Sequence, residues 1–270
     1  MTMYNSAPAR AFRLLSISAI AFLLFGLVCV QTGLAQEERP SSAATTQDAT
    51  TVPQYIVIGF LGGFVRHDNL AHSEVQIAAR LRKDYPMGVH VETFESYHEE
   101  RALKKVLKLL DTSHDGTLAH GEKQNARIII YGHSWGGSET IALARDLEKN
   151  GVPVQLTIQI DSVTKVHQND SLIPANVSQA ANFYQADGRM HGQSKIVAAD
   201  PKRTKIIGNF KFDYAGKPYN CQGYPWYDRI FGKAHTQIEC DSTVWAQAEG
   251  LIRMELPAPS PATVDHAAQP

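Results

Sequence analysis

The segment Ile128-Ile129-Ile130-Tyr131-Gly132-His133-Ser134-Trp135-Gly136-Gly137 constrains this chain more than any other stretch. Its isoleucine run predicts a buried strand. Ser138–Lys149 carries Ile141, Ala142, Ala144 and Leu147 at helical spacing, and Asn150-Gly151 supplies a stop. Between them lies a turn that must be very tight, centred on G-x-S-x-G: Gly132, Ser134, Gly136. A nucleophile at such a turn sits at a strained position with its side chain exposed. The flanking positions must be glycine because a Cβ there would strike the neighbouring strand or helix. Ser134 is therefore the candidate nucleophile. The alternative is a glycine-rich βα turn with an incidental serine.

The remaining pattern alternates strand and helix. Strands are expected over Tyr55–Gly59, Val89–Phe94, Arg127–Tyr131 and Val154–Ile160, with further candidates at Asn182–Gln185 and Lys205–Ile207. Helices are expected from an Asn69 cap to about Lys83, over His98–Leu110, and from an Asp241 or Ser242 cap through Val244, Ala248, Leu251 and Ile252. Alternation with apolar strands implies an α/β fold, a doubly wound, mostly parallel sheet with helices on both faces.

The termini read differently. Arg10 and Arg13 precede an apolar run from Leu14 to Val30, and Gly33-Leu34-Ala35 offers small residues for cleavage after Ala35. Residues 1–35 thus read as a signal peptide of a secreted or periplasmic chain, with no stable membrane span after cleavage. The runner-up is an uncleaved anchor, since the run approaches spanning length. Gly26-Leu27-Val28 is a poor lead-in for lipidation at Cys29. Residues 36–53 are polar and read as a disordered linker, and 255–270 as a disordered tail, leaving a folded domain over 54–254. A net charge of −1 argues against a nucleic-acid partner. In an exported chain Cys221 and Cys240 are expected to pair, the alternative being two unpaired thiols.

Serine needs a base, and the base an orienting acid. In a doubly wound sheet these groups collect at the carboxyl ends of strands. Asp161 directly follows the strand Val154–Ile160 and is the candidate acid, with Asp187, Asp200 and Asp213 in reserve. Of the eleven histidines, His235 fits the base best, because it follows the strands, lies just before the last helix and falls inside the Cys221–Cys240 loop. His133 is expected to point away from the nucleophile. The oxyanion needs two backbone N–H donors. Trp135, after the serine, is one. The other is assigned to Phe60, with Leu61 as its neighbour, in the loop Gly59-Phe60-Leu61-Gly62-Gly63.

Tyr55-Ile56-Val57-Ile58-Gly59-Phe60, Gly132-His133-Ser134-Trp135-Gly136-Gly137, Ile160-Asp161-Ser162-Val163 and His235 before a final helix together resemble the α/β-hydrolase superfamily, nearest its lipase-like branch. The resemblance spans about 54–253. It implies a Ser134–Asp161–His235 triad and esterase or lipase chemistry on a small-molecule or lipid ester, with no cofactor for catalysis. The sequence departs from the family at Ile58, where a histidine usually precedes the oxyanion loop, and in its short domain. A thioesterase or amidase on the same scaffold, or a non-catalytic envelope protein that keeps the fold, are the alternatives. Oligomeric state is not legible.

A second motif runs from Asp111 to Glu122. Asp111, Ser113, Asp115, the Thr117 carbonyl and Glu122 fall at the ligand positions of an EF-hand calcium loop, with Gly116 at its sharp turn. Calcium there would be structural, bracing the segment that feeds the elbow strand. The alternative is a solvated acidic connection. Asn182-Phe183-Tyr184-Gln185 and Tyr219-Asn220-Cys221-Gln222-Gly223-Tyr224-Pro225-Trp226 supply aromatics for a substrate-facing cap or for core under a long loop.

Overall fold

Alternating side chains along each strand decide the architecture. The computed structural model describes residues 54–218, 220–224 and 232–259. The expected leader, linker and most of the tail lie outside them, as do Tyr219, Pro225 and Trp226. Six strands form one parallel sheet: β1 (Gln54–Leu61), β2 (Val89–Glu95), β3 (Ala126–His133), β4 (Val154–Ile160), β6 (Val177–Gln185) and β8 (Lys205–Phe212), in the order β2-β1-β3-β4-β6-β8. Two short strands, β5 (Leu172–Ile173) and β7 (Val197–Ala198), pair separately.

Val57, Ile129, Tyr131, Leu156, Ile158 and Ile160 point to one face of the sheet. There they meet Ile77 and Leu81 of α1 (Ser73–Asp84), Ile238 of α5 (Lys233–Glu239), and Trp245 and Ile252 of α6 (Ser242–Glu255). Ile56, Ile58, Ile128 and Ile130 point to the other. They pack on Val106 and Leu110 of α2 (Glu99–Leu110), and on Ile141, Leu143 and Leu147 of α4 (Trp135–Lys149). The triple isoleucine thus serves two cores in turn, as a period of two requires. Each such fully buried side chain contributes about 1.5–3 kcal/mol of hydrophobic stabilisation. The doubly wound sheet with helices on both faces is as the sequence predicts.

Several boundaries move. Helix α1 starts at Ser73 with His72 at its N-cap, not at Asn69, whose Oδ1 instead accepts from the Ala71 amide in the preceding turn. The predicted Asn182–Gln185 strand begins at Val177, and Lys205–Ile207 extends to Phe212. Helix α6 starts where expected, with Asp241 Oδ1 accepting from the Thr243 amide. It runs to Glu255, and Leu256 is buried against the first core. Cys221 and Cys240 form a disulfide. Among the described residues no helix is long and apolar enough to cross a membrane.

The chain leaves β1 in one direction, to β2, and returns on the other side to lay down β3, β4, β6 and β8. The crossovers diverge between the carboxyl ends of β1 and β3, where a doubly wound sheet opens a crevice. Backbone packs on backbone there. A Cβ on Gly132 would lie 2.4 Å from the Gly136 carbonyl oxygen, and one on Gly136 only 2.2 Å from the Phe60 oxygen. These atoms belong to strands and helix and cannot swing aside. Gly136→Ala is expected to lower stability by about 3 kcal/mol or more, beyond the range of ordinary overpacking, as measured by urea unfolding. A variant as stable as the wild type would contradict the packing described.

Candidate active site

Ser134 joins β3 to α4 with φ 58° and ψ −125°, a conformation rare for any residue but glycine. The turn directs its hydroxyl into the crevice. His235 sits on α5, whose Ala234 and Ile238 are buried in the first core. Its Nε2 lies 2.8 Å from Ser134 Oγ, and its Nδ1 lies 2.7 Å from Asp161 Oδ2. A carboxylate on Nδ1 fixes the tautomer with the proton there, leaving Nε2 to accept from the serine hydroxyl.

Asp161 follows β4 at φ 43° and is fully buried. Burial alone would raise its pKa. The hydrogen bond and charge of His235, the Gln185 side chain and the Gly192 amide outweigh that and hold it below the ordinary carboxylate value. Its Oδ1 accepts from the Gly192 amide at 2.7 Å, and its Oδ2 from Gln185 Nε2 at 2.8 Å. Gly192 must be glycine, since a Cβ would lie 2.2 Å from the Asp161 carbonyl carbon. Sequence reasoning missed both residues; the Gly192 spacer in an irregular segment was the only signal available.

The structure therefore brings Ser134, Asp161 and His235 to one point. The reserve acids are engaged elsewhere. Asp187 accepts from the Tyr214 and Ala215 amides, Asp200 from that of Lys202, and Asp213 pairs with Lys211. His133 is buried beneath His235, its ring 4.5 Å from that of His235 and its Nδ1 3.5 Å from Glu239 Oε2.

Trp135 is the first residue of α4, so its N–H stands outside the i→i−4 ladder, and the residue lines the crevice. Phe60 requires a correction. It lies inside β1, paired with Phe94 on one side and Gly132 on the other, fully buried and away from the crevice. The backbone beside the nucleophile is that of Gly62, where a Cβ would lie 2.9 Å from Ser134 Cβ. The crevice is a cavity of about 810 Å³, with Phe64, Val65, Trp135, Val163 and Met190 among its lining. Phe64 is 83% exposed and sets its ring edge-on to Trp135 at 5.7 Å.

The residues of the 111–122 loop come together, but around their own donors. Asp111 accepts from Ser113 Oγ and from the Asp115 and Gly116 amides. Asp115 accepts from the Thr117 amide and hydroxyl. Glu122 takes the Thr112 and Ser113 amides on one oxygen and that of Ala119 on the other. These bonds close the turn into α3 (His120–Gln124) through side chain–amide contacts.

The loop after β1 is tied to the end of β2. Glu95 accepts from the His67 amide at 3.2 Å, and its two oxygens lie 2.7 and 2.6 Å from Nδ1 of His67 and of His98. Thr93 Oγ1 donates to the His67 carbonyl and Ser96 Oγ to that of Gly63. Burial pushes the Glu95 carboxyl up, but its bonds to His67 and His98 prevail and draw it from 4.5 to about 2. A depressed carboxylate stabilises the fold above its unfolded pKa and ceases to do so as pH falls through the folded value. The wild-type urea midpoint should fall between pH 4.5 and about 2. Glu95→Gln should be less stable at neutral pH by about 1–3 kcal/mol and should show a smaller fall across that window. An equal fall in both proteins would refute the assignment.

No protein-family model matches the sequence, and no curated protein matches it. Solved structures do. A cutinase-like protein from Cryptococcus sp. is 12% identical, with 78% of this chain and 98% of that one covered at a TM-score of 0.39. An acetylxylan esterase is 13% identical, covering 77% and 100% at 0.37. Alpha/beta hydrolase domain-containing protein 10 from mouse is 12% identical, covering 74% and 90% at 0.37. At these identities and TM-scores the likeness assigns neither family nor activity. The parallel sheet order, the sharp serine turn after β3 and helices on both faces make this a doubly wound α/β fold.

Proposed function

We propose that the protein is an exported serine hydrolase that cleaves carboxylic esters through an acyl-enzyme. The observation that carries this is the continuous hydrogen-bonded line from Ser134 Oγ through His235 to buried Asp161. In the proposed reaction Ser134 Oγ attacks the carbonyl carbon while His235 Nε2 takes its proton. Asp161 holds the imidazolium that results. The oxyanion is held by the Trp135 amide and by a backbone amide of the loop that begins at Gly62, in place of Phe60. Collapse breaks the ester C–O bond, and the departing alkoxide takes the proton from His235. Water, deprotonated by the same nitrogen, then releases the acid and restores the serine.

The apolar lining from Phe64, Val65, Trp135, Val163 and Met190 suits a hydrophobic acyl or alcohol group. The Cys221–Cys240 disulfide supports an oxidising destination.

A fluorophosphonate probe should label the wild type and leave Ser134→Ala unlabelled. On a panel of chromogenic esters of graded chain length, Ser134→Ala should lose about 10⁶-fold in kcat, and Asp161→Asn about 10⁴-fold. Undiminished labelling or turnover in Ser134→Ala would end this reading. Turnover of thioesters or anilides in preference to esters would move the substrate class and leave the nucleophile in place.

A further inference from the structure

Behind the proposed base lies a cluster that the hydrolytic reading does not use. His72 is the N-cap of α1, Glu74 is in its first turn, and Glu239 ends α5. All three are buried, and one ligand atom from each lies within 4.8 Å of the other two, the one His/Cys/Asp/Glu group of this kind among the described residues. Glu239 carries a hydrogen bond to His72 Nδ1 and faces His133.

The polar groups here are underused. Glu74 is fully buried, and neither of its oxygens has a hydrogen-bond partner. His133 is 2% exposed, and neither ring nitrogen has one. Two carboxylates beside each other, one of them unsatisfied, are costly to bury. A doubly charged cation would neutralise both carboxylates and use the orphaned oxygens.

The donor set selects among cations. Imidazole nitrogen with carboxylate oxygen suits zinc and its first-row neighbours. Calcium and magnesium call for oxygen alone, and copper(I) for thiolate or thioether sulfur. A route in exists, since His72, His133 and Glu239 line the same cavity as Ser134 and His235.

The geometry points to a zinc-type divalent metal site formed by His72, Glu74 and Glu239, with His133 at its edge, on the floor of the Ser134 crevice. The His72 imidazole and the two carboxylates would each donate a lone pair to the metal, any proton they carry passing to solvent. His235 and Glu239 are four residues apart on one face of α5, so the metal pins the helix carrying the proposed base to the start of α1. The Ser73 Oγ bond to the Glu239 carbonyl at 2.8 Å already runs along that seam.

The test uses the whole chain, stripped with chelator and titrated with zinc chloride by calorimetry, with metal content read by mass spectrometry. One zinc per chain is expected, with a rise in Tm. Glu74→Gln and Glu239→Gln should each weaken binding by more than about 100-fold, beyond what loss of an outer-shell partner costs. Ser134→Ala should keep the site in full, so failure of the hydrolase reading leaves this result standing. Should the Glu variants not fold, cobalt(II) added to stripped wild type should give visible d–d bands that zinc abolishes. Absence of zinc uptake by the wild type, uptake unchanged in both Glu variants, or absence of the cobalt bands would each overturn the site.

Discussion

Three backbones meet without side chains between them at Gly132, Gly136 and Phe60, and the rest of the molecule is built around that contact. It brings α4 down onto the ends of β1 and β3, and so forces the turn at Ser134 into its left-handed conformation. Strain of this kind costs about 1–3 kcal/mol and persists only where surrounding structure over-determines it. Here the over-determination is visible. The Ser134 amide donates to the Ile160 carbonyl, and the Ser134 carbonyl accepts from Gly137 and Val163. The hydroxyl is left to meet His235 Nε2 at 2.8 Å.

The second arm of the site is built by different means. Asp161 also has positive φ, and its carboxylate is tied by Gly192 and Gln185 before it reaches His235. Its charge is thus stabilised in place, inside the protein, by donors aimed at it from a segment with little regular structure. His235 sits on a helix of only two turns, which the Cys221–Cys240 disulfide and the Ser73–Glu239 bond hold at its far end.

Much of this was legible from residue order. Ile128–Ile130, Val154–Ile160 and the α2 face announced their elements because strands buried on both faces and helices buried on one carry strong apolar signals. The first half of β6 carries Ser178 and Gln179, and β8 carries Gly208, Asn209 and Lys211, so neither presents an apolar run. β8 is a half-buried edge strand, with a register shift where it meets β6 at Ala180/Ala181. Asp161 was legible as a carboxylate directly after β4 and His235 as a histidine just before the last helix, and the two lie 2.7 Å apart. Phe60 was misplaced because β1 runs two residues past Gly59, carrying the apparent loop into the sheet. Glu74 and Glu239 gave no warning, since a glutamate at a helix end ordinarily faces water. Only tertiary packing puts these two in the interior.

The two cores have a mechanical consequence. The helix that follows the serine is anchored in one apolar layer, and the helix that carries the imidazole is anchored in the other, with the sheet as a septum between them. A 2.8 Å contact therefore bridges two independently packed slabs. Loosening either slab moves one partner while the other stays put, so warming should uncouple oxygen from nitrogen before the sheet itself melts, and heat inactivation should run ahead of unfolding.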